Sequence, residues 1–177
     1  MPQMEYVLHI AVLATVFAIL SVSLDILVGH AGLLSIAQAA FFGIAAYLCA
    51  ILVSQYELPW LLAMGVAVAA NFILGGLVSA LFVRLVDDAF AVATFGLQAI
   101  TFSILLNWTS VTRGPLGLSG IAGPRIFGWT VETTLDFFGI ALLCAVVALC
   151  VVSRLAGGPF GRLLHAVRED EVAARAL

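Results

Sequence analysis

The sequence predicts an all-α fold, a polytopic transmembrane helical bundle of about five spans with an amphipathic helical segment at its C-terminus, and three observations predict it. Of the 177 residues, 64% are apolar and only 10% are charged, against about 25% charged in an ordinary soluble domain. The mean hydropathy of +1.21 is spread over several long blocks rather than gathered in one anchor. Short polar or glycine-rich breaks separate the blocks, and lipid demands helices because each segment must satisfy its own backbone polar groups.

The first block is nearly unbroken from Tyr6 to Val53. As one helix it would be about 70 Å long at ~1.5 Å per residue, more than twice the ~30 Å hydrocarbon core, so it must turn back on itself. Gly29, His30 and Gly32 lie near its middle, where a helix can end; the expected spans are 6–28 and 33–53. Ser54-Gln55-Tyr56-Glu57 is a polar break and Pro59 suits a first helical turn, which gives a third span over 59–83. Arg84, Asp87 and Asp88 interrupt the apolar sequence before a fourth span over 90–108, which closes on Trp108, a ring that favours the membrane interface. Gly114, Gly117, Gly120, Gly123, Pro115 and Pro124 make 109–134 a loop, with too many breakers for a helix across lipid. A fifth span is expected over 135–152. Gly157-Gly158-Pro159 then breaks the chain and starts a new helix, so that 153–177 is amphipathic rather than spanning.

Five alternating spans place Arg84, Arg154, Arg162, Arg168 and Arg175 on one side of the membrane, and Arg113 and Arg125 on the other. Cytoplasmic loops collect positive charge, so the C-terminal segment is expected in the cytoplasm, with the glycine-rich loop and the N-terminus outside. The N-terminus, Met1-Pro2-Gln3-Met4-Glu5, lacks the basic start of a secretory signal, so the first span is expected to stay in the mature protein.

Composition also removes function classes. Net charge is −3 and all basic residues are Arg, which gives neither a basic surface for nucleic acid nor an acidic tail. Catalytic signatures such as H-E-x-x-H, G-x-S-x-G, a Walker loop or a dinucleotide fingerprint are missing, and His9, His30 and His165 are far apart in sequence. No catalytic residue, metal ligand or cofactor is therefore expected. Cys49, Cys144 and Cys150, an odd number within apolar runs and without C-x-x-C spacing, read as packing residues.

Asp25 is the acid that falls within a span; it reads either as a functional intramembrane carboxylate or as a hydrated group about one turn from the helix end. Asn71, Gln98 and Asn107 read as bonding between helices, and Gly75 and Gly76 as points of close helix approach. Between Gly29 and Tyr47, small residues accompany Ser35, Gln38 and Tyr47, a composition that lets backbones approach and offers polar groups to a pathway.

That segment reads Gly29-His30-Ala31-Gly32-Leu33-Leu34-Ser35-Ile36-Ala37-Gln38-Ala39-Ala40-Phe41-Phe42-Gly43-Ile44-Ala45-Ala46-Tyr47. It resembles the G-x-x-G-x-x-S-x-G-x-x-A-F-F-G-I-G-A-Y signature of the LivM-type permeases of branched-chain amino acid ABC importers, with Gln38-Ala39 where that family often has Gly-His. Two further blocks agree in order. Asn107 through Ile121 resembles the family's N-x-x-x-x-T-G-G-x-x-G-L-x-G-I-P loop, with Arg113 in place of a Gly. Gly158 through Leu177 resembles its S-P-F-G-R-A-L-x-A-I-R-E-[DN]-E-x-A-A-x-A-L-G cytoplasmic motif. The usual R-G-x-Y-F-A before span four departs here to Arg84-Leu85-Val86-Asp87-Asp88-Ala89-Phe90-Ala91.

The resemblance implies a multi-pass permease of the bacterial inner membrane, itself without catalysis. It implies as partners a second permease subunit, two ATP-binding subunits and a periplasmic or extracellular solute-binding protein, besides membrane lipid. It makes Ser35, Gln38, Gly43, Tyr47, Gln98 and Asn107 candidates for the transport pathway. The cytoplasmic motif, with Phe160, Gly161, Arg162, Arg168, Glu169, Asp170 and Glu171, becomes the element that couples to the ATPase. Phe160, Leu163, Leu164 and Val167 share one helical face there, while Arg162, His165 and Glu169 lie elsewhere. From the residues alone, such a helix suits a protein dock or a lipid surface equally. Permeases for urea or short amides are the close alternative, and a channel or structural membrane subunit is the one outside the family. Because the motif stops at Leu177 and related permeases continue beyond it, a fragment, a split subunit or a truncated gene is expected.

Overall fold

The computed structural model describes residues 2–82, 84–85, 88–121, 123–126, 129–131 and 133–169. Asp87, Asp170 and Glu171, singled out in the sequence, lie outside them. The described residues form helices α1 (Pro2–Asp25), α2 (Gln38–Ser54), α3 (Trp60–Phe82), α4 (Asp88–Asn107), α5 (Thr109–Thr112), α6 (Thr134–Gly157) and α7 (Pro159–Glu169). A π-helical turn, Ile26–His30, continues α1, and a single 3-10 turn covers Gly114–Leu116. The two short strands β1 (Arg125–Ile126) and β2 (Trp129–Thr130) pair antiparallel, with Arg125 opposite Thr130.

Among the described residues four helices are long and apolar enough to cross a membrane: Gln3–His30, Trp60–Phe82, Asp88–Asn107 and Thr134–Gly157. They carry bare apolar side chains such as Phe17, Phe72, Leu81 and Val92, an arrangement suited to lipid and costly in water. α2 has 17 residues, about 26 Å at ~1.5 Å per residue, the short limit for a span.

The chain divides into two units, Met1–Leu34 with Glu132–Leu177, and Ser35–Val131. In the first, α1 packs along α6, and α7 lies against both α6 and the π-turn. In the second, α2 packs on α3 and on α4, and the turn after α5 returns to α4.

Boundaries follow local chemistry. Ala63 donates its N–H to the Pro59 carbonyl at 3.0 Å, so Pro59 stands at the start of α3. Thr133 caps α6: its hydroxyl accepts from the Asp136 N–H at 3.2 Å, and the Asp136 carboxylate accepts from the Thr133 N–H at 3.3 Å. α6 passes the expected end at Val152 and runs to Gly157. Ser153 donates back to the Cys150 carbonyl, and Arg154 lies in the last turn, where a cation favours the helix dipole. The larger difference lies at the second span. It begins at Gln38 rather than Leu33, because 32–37 is not helical.

Candidate functional site

In the second unit, the non-helical stretch before α2 is held by a side chain of α4. Ile36 donates its N–H to the Thr94 hydroxyl at 3.2 Å, and that hydroxyl donates to the Ala91 carbonyl at 2.9 Å. Thr94 is almost fully buried. Irregular backbone in a membrane is tolerated only where protein or a cavity meets its polar groups, and here the Thr94 hydroxyl meets one of them, the Ile36 N–H.

Immediately beyond this break, Ala39 and Ala40 of α2 and Phe95, Gln98, Ala99, Thr101, Phe102 and Leu105 of α4 line a cavity of about 270 Å³. Its wall is apolar apart from the Gln98 amide and the Thr101 hydroxyl, and that hydroxyl is already donated to the Leu97 carbonyl at 2.8 Å. Small side chains open the space. Gly43, one turn on, stands where an added Cβ would meet Leu105 Cδ1 at 3.2 Å. Tyr47 follows on the same face, its hydroxyl near Gly117.

The structure thus gathers Gly43, Tyr47 and Gln98 of the sequence candidates along facing sides of α2, α4 and the turn after α5. Gln38 opens α2, and Ser35 is half-buried in the irregular stretch ahead of it. Asn107 is exposed and donates to the Ser103 carbonyl of its own helix at 2.8 Å. Asn71 likewise donates to the Ala67 carbonyl at 3.2 Å, so neither Asn amide nitrogen joins two helices in these bonds. A Cβ at Gly75 or Gly76 would meet nothing within 4 Å among the described residues, so no close helix approach occurs there.

Sequence reasoning missed Thr94 and Thr112. The buried Thr112 hydroxyl donates to the Leu105 carbonyl at 2.6 Å and accepts from the Gly114 N–H at 3.2 Å, which fastens the turn where Arg113 and Gly114 have φ of 60° and 57°. The Thr-Arg-Gly-Pro run was the available signal for Thr112. Thr94 had none.

In the first unit α7 presents two different faces. Phe160, Leu163 and Val167 are 49%, 57% and 42% exposed, so the apolar stripe is largely uncovered by the described chain. Gly161 is buried, and any Cβ there would overlap the Ala156 carbonyl. Arg168 donates through Nη1 to the Gly29 carbonyl. The His165 ring lies 5.1 Å from the His30 ring, centre to centre, and His30 Nδ1 is 3.6 Å from the Asp25 carboxylate. Asp25 is therefore an exposed group over the π-turn at the end of its span. Arg162 and Glu169 are exposed. Among the described residues no group of three or more His, Cys, Asp or Glu side chains is placed to hold a metal.

The profile of the family described as "Branched-chain amino acid transport system / permease component" matches residues 6–177. The High-affinity branched-chain amino acid transport system permease protein LivM of Escherichia coli (strain K12) is 35% identical over 95% of this chain and 45% of its own length. The protein of the same name from Salmonella typhimurium (strain LT2) is 36% identical over the same shares. The chain thus spans about half the length of the curated relatives it matches. No solved structure matches it.

Proposed function

From the premise that the chain belongs to the branched-chain amino acid transport permease family, we propose that it is part of the membrane subunit of an ATP-driven importer, with branched-chain amino acids as substrate. In this reading α2 and α4 contribute to the pathway. The cavity beside Gln98 has the volume and apolar wall for a small aliphatic side chain, with one amide to orient it. Ser35, Gln38, Gly43 and Tyr47 belong to the same stretch, and Asn107 ends α4.

The single observation that carries the coupling half is α7. It follows a long apolar helix, bears an apolar stripe that the described residues leave largely uncovered, and sets Arg162 and Glu169 beside it. We read that stripe, with Asp170 and Glu171 beyond it, as the dock for an ATP-binding subunit. The assembly would hold a second permease subunit, two ATP-binding subunits and a solute-binding protein outside the cell. The Arg distribution supports a cytoplasmic C-terminus, with α2 counted as the fifth span. ATP hydrolysis belongs to the partner.

The test replaces Phe160 and Leu163 with Asp in the full-length permease, co-expressed with its partners, and measures co-purification of the ATP-binding subunits and ATP-dependent leucine uptake in proteoliposomes. Loss of both with normal membrane insertion supports the dock. Retention of the ATP-binding subunits sinks it and leaves α7 as a lipid-lying helix; uptake of urea or acetamide in place of leucine reassigns the substrate.

A further inference from the structure

The two faces of α7 divide the labour of the cytoplasmic motif in a way its sequence does not show. Gly161, His165 and Arg168 fall at i, i+4 and i+7, one face of a helix, and all three engage the rest of this chain: Ala156 of α6, His30, and the Gly29 carbonyl. The exposed apolar residues lie on another face of the same helix.

The Gly29 carbonyl is a meaningful acceptor. The π-turn ends the first span, and the last carbonyls of a helix have no partner within it. They also lie at the negative end of its dipole, where a guanidinium is favoured. Ala31 and Leu33 take the Ile26 and Leu27 carbonyls, at 3.1 and 2.9 Å. The Gly29 carbonyl is taken by Arg168, 139 positions away. Gly32 completes the seat: φ there is +72°, and an added Cβ would stand 2.8 Å from Arg168 Cγ. The Asp25 carboxylate lies against Gly29, and His30 Nδ1 stands 3.6 Å from it. π-Turns within helices recur at functional sites.

We propose that Arg168 is a positioning residue that straps α7 to the π-turn of the first span, so that movement imposed on the exposed face of α7 passes into the end of that span. The strap rests on the reading of α7 as the ATPase dock, and it takes Arg168 out of the docking surface itself.

Two measurements test it. In the full-length permease without its partners, His30→Cys and His165→Cys should cross-link under mild oxidation. Adding Arg168→Ala should slow that reaction about tenfold, and Arg168→Lys should restore most of it, because a charged donor can still reach the carbonyl. Failure of the pair to cross-link with Arg168 present, or a rate indifferent to Arg168→Ala, overturns the strap whatever α7 docks onto. In the assembled transporter, Arg168→Ala should keep its ATP-binding subunits and its hydrolysis while substrate moved per ATP falls about tenfold, with Lys again rescuing. If Arg168→Ala sheds the ATP-binding subunits, Arg168 belongs to the dock and the strap is wrong. Absence of those subunits from the unmutated permease refutes the docking reading instead, and leaves the cross-link to judge the contact.

Discussion

The chain breaks its helical run ahead of α2 and again between α6 and α7, and the two places satisfy the backbone in opposite ways. Between α6 and α7 the solution is local. The Gly158 N–H donates to the Leu155 carbonyl at 3.4 Å, the Arg162 N–H to the Gly158 carbonyl at 3.3 Å, and Gly161 lets the new helix leave close to Ala156. Ahead of α2 the solution is remote, since the Ile36 N–H reaches a hydroxyl 58 residues along the chain. In either case each of these backbone donors finds its partner within the described chain. The first kind of break is a matter of which side chains are missing; the second depends on one that is present elsewhere.

The sharpest way to break this comparison is Gly161→Val. Its side chain would occupy the place of the Ala156 carbonyl, and overpacking of this kind costs about 1–3 kcal/mol or more. The expected result is a lower thermal midpoint for the detergent-solubilised full-length permease and protease sensitivity at the α6–α7 junction. Gly157→Val, where a Cβ meets nothing within 4 Å, should leave both nearly unchanged. Equal behaviour of the two variants would mean that the tight turn does not depend on the absence of a side chain at 161.

Thr94→Val sharpens the other half. It keeps the shape of the side chain and removes the acceptor for Ile36, leaving a half-buried donor unpaired at a cost of about 1–3 kcal/mol. Faster amide exchange at Ile36 and a destabilised permease are expected. Thr94→Ser, which keeps the hydroxyl, should restore most of the protection. If Val and Thr exchange alike at Ile36, the irregular stretch is held by something other than this hydroxyl.

The same contrast explains what the sequence could show. The long apolar helices were legible because they follow from length and apolarity, and the α6–α7 break from Gly157-Gly158-Pro159. The glycine-rich loop was legible as a loop, though its β1–β2 pair was not, since two residues carry no periodicity. The start of α2 was placed at Leu33 because nothing in Leu33-Leu34-Ser35-Ile36-Ala37 opposes a helix; the hydroxyl that takes the Ile36 N–H stands at position 94. Gln98 and Gly43 stand out by residue type, whereas the contact of Arg168 with the Gly29 carbonyl has no sequence signature, since a backbone acceptor leaves none.

The smallest expected effect falls at Gly76, where composition pointed to a close helix contact and the structure has open space. Gly75 and Gly76 lie within α3, well away from either end, so each costs roughly 0.8–1.0 kcal/mol of helix propensity relative to Ala. A Cβ at Gly76 would meet no described atom within 4 Å, so Ala brings no overlap to offset that gain. Gly76→Ala in this segment alone should therefore leave the thermal midpoint unchanged or slightly raised, within the ~0.5 kcal/mol usual for surface changes. A second permease helix seated on Gly76 would make the same variant weaken assembly, through packing that small residues allow in lipid. Measuring both the segment and the full-length complex separates these outcomes. A midpoint lowered in the segment itself would mean that one of its own helices already occupies the space beside α3, and that the glycine pair serves the close approach its composition suggested.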